Sequence, residues 1–327
     1  VEISQGGYKI VTTLDYKTQQ KVNEAIITTM NSWGLTKDKQ QAALFSFSPI
    51  DGRILAYAGG KNYAKSQYDR VTQAIRPIGS AFKPFVYAAA VEKGLEPNDL
   101  LDDSPFQAGD WRPKNYGNKY RGKIPAYKAL MVSSNVCAAR VIESTGVRSV
   151  IQMARVLGIT TPIEYDFTIA LGSSSVKLFE LTRAYGAFAN GGYKVEPYAI
   201  QRIETSRSKV IYEAPKTRIT KVMDEHTAAV ITAMLKTVIQ SGTGKAADIG
   251  KPAAGKTGTT NDNYDRWLCG FTPYYAAATW FGYDKPEEIV WSGRNPAGQI
   301  WSNIMKDIHK GLDKEKFERP KDIVNVT

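Results

Sequence analysis

Strand-like segments at the two ends of the chain flank a helical middle, and this distribution constrains the fold more than any other feature. Residues 42–48 read as a short strand, "PIDG" turns the chain through Pro49, Asp51 and Gly52, and residues 53–58 return as the second arm of a β-hairpin. Beyond residue 253 the period of two comes back in "AAGKTGTT", in 267–271 and in 276–283, with a turn at Asn261-Asp262-Asn263 between them. Strands joined by hairpins run antiparallel. The expectation is therefore an α+β fold in which one sheet is assembled from distant segments.

Between those segments the spacing predicts helices over 80–92, 136–143, 148–157 and 178–189, the last two closed by Gly158 and by Asn190-Gly191-Gly192. Asp224 caps a helix bearing Val230, Ile231, Met234, Leu235, Val238 and Ile239, and a final helix carries Ile300, Trp301, Ile304, Met305 and Ile308. Residues 95–130, rich in Gly, Pro, Asn, Tyr and Lys, read as a long ordered loop, and 197–222 as short strands with polar turns. Near the N-terminus residues 8–12 alternate like a strand, and Asp15 caps a helix whose apolar face runs Val22, Ile26, Met30. The domain organisation expected is a linker arm over 1–40, one large domain over 41–311 and a charged, loose tail over 312–327. The abrupt start suggests a piece of a longer protein.

A formal net charge of +11 and a sequence pI near 9.4 would suit nucleic acid, anionic lipid or anionic cell-wall polymer, or serve only solubility. Lys and Arg are scattered without a run of five or six, and zinc spacing, a helix-turn-helix pattern and an aromatic ribonucleoprotein motif are all missing. No nucleic-acid partner is expected. Cys137 and Cys269, joined only by His226 and His309, make neither a zinc framework nor a disulfide lattice, and free buried thiols are expected. The apolar stretches stay below the ~18 residues of a membrane span, and "VEISQGGYKIVTTLD" carries no signal-peptide pattern, so the chain should be soluble as it stands.

S-x-x-K occurs three times, at Ser80/Lys83, Ser174/Lys177 and Ser206/Lys209, so alone it says little. Only the first opens an apolar helical run, "RPIGSAFKPFVYAAA", where residues three apart share a face and Lys83 can reach the Ser80 hydroxyl. Taken alone, Ser80 is more simply read as a helix cap. The same position, though, gives it backbone N–H groups and a dipole end that stabilise developing negative charge. "MVSSNVCAAR" sets Ser133 and Asn135 two apart, which suits a loop before a helix with both side chains in a cleft, or capping by Ser134 or Asn135. "GKTGTT" puts Lys256, Thr257, Gly258 and Thr259 on a strand; a phosphate loop would need GxxxxGK[ST] leading into a helix. S-x-N and K-T-G each occur once and follow Ser80 in that order. Together they describe a serine and a lysine on a helix, a polar loop on one wall and an edge strand on the other.

This ordered triplet resembles the parts of penicillin-binding proteins and class A β-lactamases. The stretch "YAKSQYDRVTQAIRPIGSAFKPFVYAAA" resembles the nucleophile region of class A high-molecular-mass penicillin-binding proteins, and "NYGNKYRGKIPAYKALMVSSN", "ANGGYKVEPYAI", "SGTGKAA" and "GKTGTTNDNYDRWLCGFTP" are similar to their other blocks. The likeness spans about Gly7 to His309 and includes the arm "GGYKIVTTLD", which in that family joins a membrane-anchored glycosyltransferase domain to the transpeptidase domain. It implies the penicillin-binding protein/serine β-lactamase-like fold, an antiparallel sheet packed with helices plus a mostly helical lobe. It also implies an extracytoplasmic location, with the membrane reached only through an N-terminal anchor outside this chain.

The implied chemistry is D,D-transpeptidation. Ser80 is the nucleophile, Lys83 the base kept neutral by burial and by the charge of Lys256, and Ser133 relays a proton to the leaving amine. Asn135 binds the substrate's peptide carbonyl, and the backbone N–H groups of Ser80 and Thr259 form the oxyanion hole. Lys256, Thr257 and Thr259 receive the carboxylate of a D-Ala-D-Ala stem peptide, while Gly258 lets the donor lie against the strand. A neighbouring stem peptide supplies the acceptor amine, and β-lactams acylate Ser80. No metal or organic cofactor is required. With two histidines, neither beside a candidate nucleophile, a Ser-His-Asp triad is the poorer reading. The alternatives are a D,D-carboxypeptidase, a serine β-lactamase, disfavoured because "ExxLN" is missing between Asn135 and Lys256, and a non-catalytic penicillin sensor.

Overall fold

The computed structural model describes residues 6–32, 34, 39–260, 262–290, 295–313, 315–318 and 320–321; Asn261, part of the expected turn, lies outside the described residues. The chain opens with β1 (Tyr8–Thr12) and α1 (Tyr16–Ser32), then forms the hairpin of β2 (Gln40–Phe47) and β3 (Ile54–Ala58). β4 (Ile75–Pro77) leads through a 3-10 turn, Gly79–Phe82, into α2 (Lys83–Val91). Next come β5 (Leu100–Asp102), β6 (Lys123–Pro125), α3 (Ala126–Met131), α4 (Asn135–Thr145), α5 (Val147–Leu157), β7 (Ser175–Lys177) and α6 (Leu178–Ala189). The rest comprises β8 (Tyr193–Val195), β9 (Ile200–Thr205), β10 (Val210–Glu213), β11 (Ile219–Lys221), α7 (Glu225–Ser241), β12 (Ala254–Thr259), β13 (Asp265–Phe271), β14 (Ala276–Tyr283) and α8 (Pro296–Ile308).

The main sheet has the order β12-β13-β14-β2-β3 with every neighbour antiparallel, so strands from both ends of the sequence do meet in one α+β sheet. β2 and β14 are buried along their whole length because each face of the sheet carries a core. On one face Phe45 and Phe47 pack with Phe85, Tyr185 and Leu235 of the helical layer. On the other, Leu44 and Phe281 meet Val22, Ile26 and Met30 of α1 and Ile300, Trp301 and Ile304 of α8. The N-terminal segment is thus woven into the body: β1 pairs with β9, and α1 completes the second core. In the tail, Phe317 is not loose, since its ring meets Phe271 edge-on at 5.6 Å.

Two expectations need correction. Ser80 does not begin an α-helix; it lies in the 3-10 turn, and α2 starts at Lys83. Pro84 supplies the reason, because it has no N–H to bond Ser80 O in the α-helical manner, and Lys83 N donates to that oxygen instead. The segment 95–130 is likewise not all loop, for β5 pairs with β6 and α3 follows at once. Elements this short carry too few periods to be seen in a sequence.

Candidate active site

Every residue of α2 is buried, Lys83 included, which follows from a helix that is apolar on all sides. Lys83 therefore meets few polar atoms, and the geometry of those it meets is informative. Its Nζ donates to Ser133 O at 2.7 Å, Asn135 Oδ1 at 2.7 Å and Ser133 Oγ at 3.1 Å. Ser80, one turn earlier and half-buried, has a hydroxyl that enters no hydrogen bond among the described residues. The expected Ser80–Lys83 contact is thus not made in this conformation, and Lys83 faces the S-x-N wall. Neither of the other two S-x-x-K pairs resembles this site: Lys177 ends β7, and Lys209 lies in the β9–β10 turn.

The S-x-N residues stand at the joint of two helices. Ser133 closes α3 with a positive φ of 59°, an uncommon conformation for a residue with a Cβ, and its N–H donates to Leu130 O at 3.1 Å. Ser134 caps α4 by accepting from Cys137 N at 3.0 Å, and Asn135 is the first residue of α4. The capping reading holds for Ser134, while Ser133 and Asn135 turn their side chains to Lys83. A support absent from the sequence reading lies behind them. Asn115 Oδ1 accepts from Asn135 N at 2.8 Å and Val136 N at 3.2 Å, while its Nδ2 donates to the fully buried Asp103 at 2.7 Å. Asp103 also takes the Ser134 hydroxyl and pairs with Arg121 at 3.3 Å. Asn115 lies within the block "NYGNKYRGKIPAYKALMVSSN", but nothing in that string marks it off from its neighbours.

The K-T-G strand is β12, an edge of the main sheet. Lys256 is fully buried and donates to Ser133 Oγ at 2.9 Å, so both lysines converge on one hydroxyl. Thr257 Oγ1 lies 2.9 Å from Thr243 Oγ1 of the "SGTG" turn after α7, a second residue that motif spacing did not single out. Thr260 N donates to Asp265 O at 3.3 Å, and peptide groups alternate along a strand, so the Thr257 and Thr259 N–H groups point away from β13. Gly79, with φ +53°, packs against this end of the strand; a Cβ there would come within 2.3 Å of Thr259 O. Gly258 serves the same contact, because a Cβ on it would meet Ile78 O at 2.3 Å. It lets the Ser80 turn approach the strand closely.

Burial lowers the pKa of Lys83 well below the ordinary lysine value, and the charge of Lys256 adds to that. Burial also brings Lys256 down to about 7. Cys137 and Cys269 are buried free thiols, and burial pushes Cys137 up to about 12. Both histidines lie apart from the serine: His309 between Thr272 and Met305, His226 in the first turn of α7.

Among the described residues no helix is long and apolar enough to cross a membrane. Residues 43–306 match the family described as the penicillin-binding protein transpeptidase domain. Penicillin-binding protein 1A of Rickettsia conorii is 34% identical over 98% of this chain and 44% of its own length. That of Pseudomonas aeruginosa is 33% identical over 88% of this chain and 42% of its own. The chain thus spans less than half the length of these relatives. The structure of the PonA1 protein from Mycobacterium tuberculosis in complex with penicillin V superposes with a TM-score of 0.89 at 24% identity, covering 98% of this chain and 91% of that one, and the two share a fold. By the match over 43–306, the chain belongs to the transpeptidase-domain family of penicillin-binding proteins.

Proposed function

We propose that this chain is a D,D-transpeptidase that cross-links peptidoglycan stem peptides through an acyl-enzyme on Ser80 and that β-lactams acylate the same serine. The observation that carries the reading is the set of hydrogen bonds around Lys83 Nζ. A neutral amine has two N–H donors and one lone pair. Ser133 O and Asn135 Oδ1, each at 2.7 Å, satisfy the two donors and leave the longer 3.1 Å contact with Ser133 Oγ to the lone pair, which takes the Ser80 proton when that contact opens.

In this mechanism Ser80 Oγ attacks the carbonyl carbon of the D-Ala-D-Ala bond as its proton passes to Lys83. The tetrahedral oxyanion lies between the Ser80 and Thr259 N–H groups, a role supported by the packing of Gly79 on Thr259 and by the outward turn of the Thr259 N–H. Ser133, hydrogen-bonded to both lysines, gives its proton to the leaving D-Ala amine and is reprotonated from them. Thr257, Thr259 and Lys256 hold the terminal carboxylate, and Asn135 Nδ2, which gives one proton to Lys114 O at 2.8 Å, offers its other to the donor's peptide carbonyl. An acceptor amine then attacks the acyl carbon, its proton returning through Lys83, and Ser80 is released. No metal or organic cofactor enters. The parent protein would be anchored through an N-terminal segment, with this domain on the extracytoplasmic side of the membrane.

The test is labelling with a reporter penicillin followed by turnover of a stem peptide with an amine acceptor. Labelling of intact protein but not of Ser80→Ala, with a cross-linked product, is the expected result. Equal labelling of the two proteins rules out the nucleophile, and release of free acid alone makes the enzyme a carboxypeptidase.

A further inference from the structure

Arg266 leaves β13 directly opposite Thr259, and its Nη1 donates to Thr259 Oγ1 at 3.2 Å. Its Nε is buried without a partner, and among the described residues no carboxylate lies within ion-pair distance of the guanidinium. The more deeply buried arginines differ. Arg70 holds Asp284 at 2.6 Å and Arg76 lies 3.7 Å from Asp265. A half-buried guanidinium with an idle donor has lost water without gaining an anion, which is unfavourable unless an anion arrives.

Its position tells which anion. Thr259 ends the K-T-G segment, where the reading above places the donor's terminal carboxylate. Lys256 supplies only part of the charge that group needs, because its Nζ is fully buried on Ser133 Oγ and burial leaves it only partly protonated at neutral pH. Arg266 keeps its charge throughout the physiological range and presents a planar fork of donors suited to a carboxylate.

We propose that Arg266, acting with the Thr259 hydroxyl, is the permanent cationic anchor for the carboxylate of the acyl donor, and so a specificity-determining residue of this cleft. The proposal rests on the transpeptidase reading. Lys256 then divides its charge between the carboxylate and proton traffic through Ser133, and the permanent charge comes from β13. A donor or β-lactam lacking the carboxylate would leave Arg266 unpaired.

The experiment compares acylation of the whole chain by benzylpenicillin, which carries a carboxylate, with acylation by its methyl ester, which does not. For Arg266→Gln we expect the second-order rate with the acid to fall about tenfold to a hundredfold, the range for hydrogen bonds to a charged group, with the ester rate unchanged. Arg266→Lys keeps the charge and should retain part of the preference for the acid; if the glutamine variant does not fold, a reduced acid-to-ester ratio in Arg266→Lys is the expected result. A loss shared equally by acid and ester, or an unchanged ratio in either variant, overturns the anchor. Failure of wild-type protein to acylate at Ser80 would instead overturn the transpeptidase reading, so the two failures are told apart.

Discussion

Lys256 Nζ lies 2.9 Å from Ser133 Oγ, the hydroxyl that Lys83 Nζ also reaches at 3.1 Å. Two ammonium groups cannot share one hydroxyl in a dry pocket at low cost, so one of them gives up its proton. Lys83 is the one pushed down by the other's charge. We expect the second-order rate of Ser80 acylation to rise with pH as Lys83 deprotonates and to fall again near pH 7 as Lys256 does. A bound carboxylate favours the charged Lys256, so the falling limb should move to higher pH in kcat than in kcat/KM. Stopped-flow acylation across pH 5 to 10 checks both limbs, and Lys256→Arg should remove the falling one.

The same burial makes Lys256 a stability liability. Its folded pKa of about 7 lies below its unfolded value, so the unfolded chain binds the extra proton between those two pH values and stability rises with pH across that window. Below about pH 7 the full penalty applies. Lys256→Met should therefore stabilise the fold by roughly 3 to 5 kcal/mol at pH 6 to 7, with the gain fading toward pH 10, while acylation is lost. Denaturant titrations at pH 6.5 and pH 10 measure this, and an equal effect at both would contradict it.

Asn115 is the support of the S-x-N wall. Asn115→Ala removes the acceptor of two backbone N–H groups at the start of α4 and a donor to buried Asp103. A loss of about 1 to 3 kcal/mol follows from orphaning such groups. Because Ser133 and Asn135 move with that joint, acylation should drop at least tenfold even at temperatures where the variant is fully folded, as intact-protein mass spectrometry with penicillin would show.

The sequence revealed the parts of this site better than their mounting. The order Ser80, Ser133–Asn135, Lys256–Thr259 was legible because each motif is local and the residue types are rare in that order. The sheet was legible because hairpins announce antiparallel pairing. Asn115, Asp103 and Thr243 were not, since they act through contacts 20, 31 and 14 residues distant in the chain, and nothing in a linear pattern marks a carbonyl that accepts from a remote N–H. The 3-10 turn at Ser80 was hidden for another reason: a proline in the first turn of a helix is ordinarily harmless, whereas here the missing N–H of Pro84 shifts the start of α2 to Lys83.

Gly79 is fixed by both its backbone and its surroundings. Its φ is +53°, and a Cβ would stand 2.3 Å from Thr259 O and 2.8 Å from Thr259 C. Gly79→Ala should push the Ser80 turn away from β12 and separate the two N–H groups proposed for the oxyanion. Acylation should fall more steeply than stability, with a thermal loss of order 1 to 3 kcal/mol and at least a tenfold slower labelling of Ser80.

Thr243 separates orientation from folding. It is exposed, and its hydroxyl lies 2.9 Å from Thr257 Oγ1, which is itself 3.5 Å from Lys256 Nζ. The hydrogen bond fixes where the Thr257 hydroxyl points, and with it the direction offered to a donor carboxylate. Thr243→Val keeps the shape and removes that bond. Stability should stay within about 0.5 kcal/mol because no buried group is orphaned. KM for a D-Ala-D-Ala donor should rise by roughly twofold to tenfold, the value of one neutral hydrogen bond, with kcat little changed. Thr243→Ser, which restores the hydroxyl, should restore KM. If kcat fell instead, Thr257 would be acting on the reacting atoms and not on the carboxylate. If neither constant moved, Thr257 would be held in place by β12 and Lys256 without help from the "SGTG" turn.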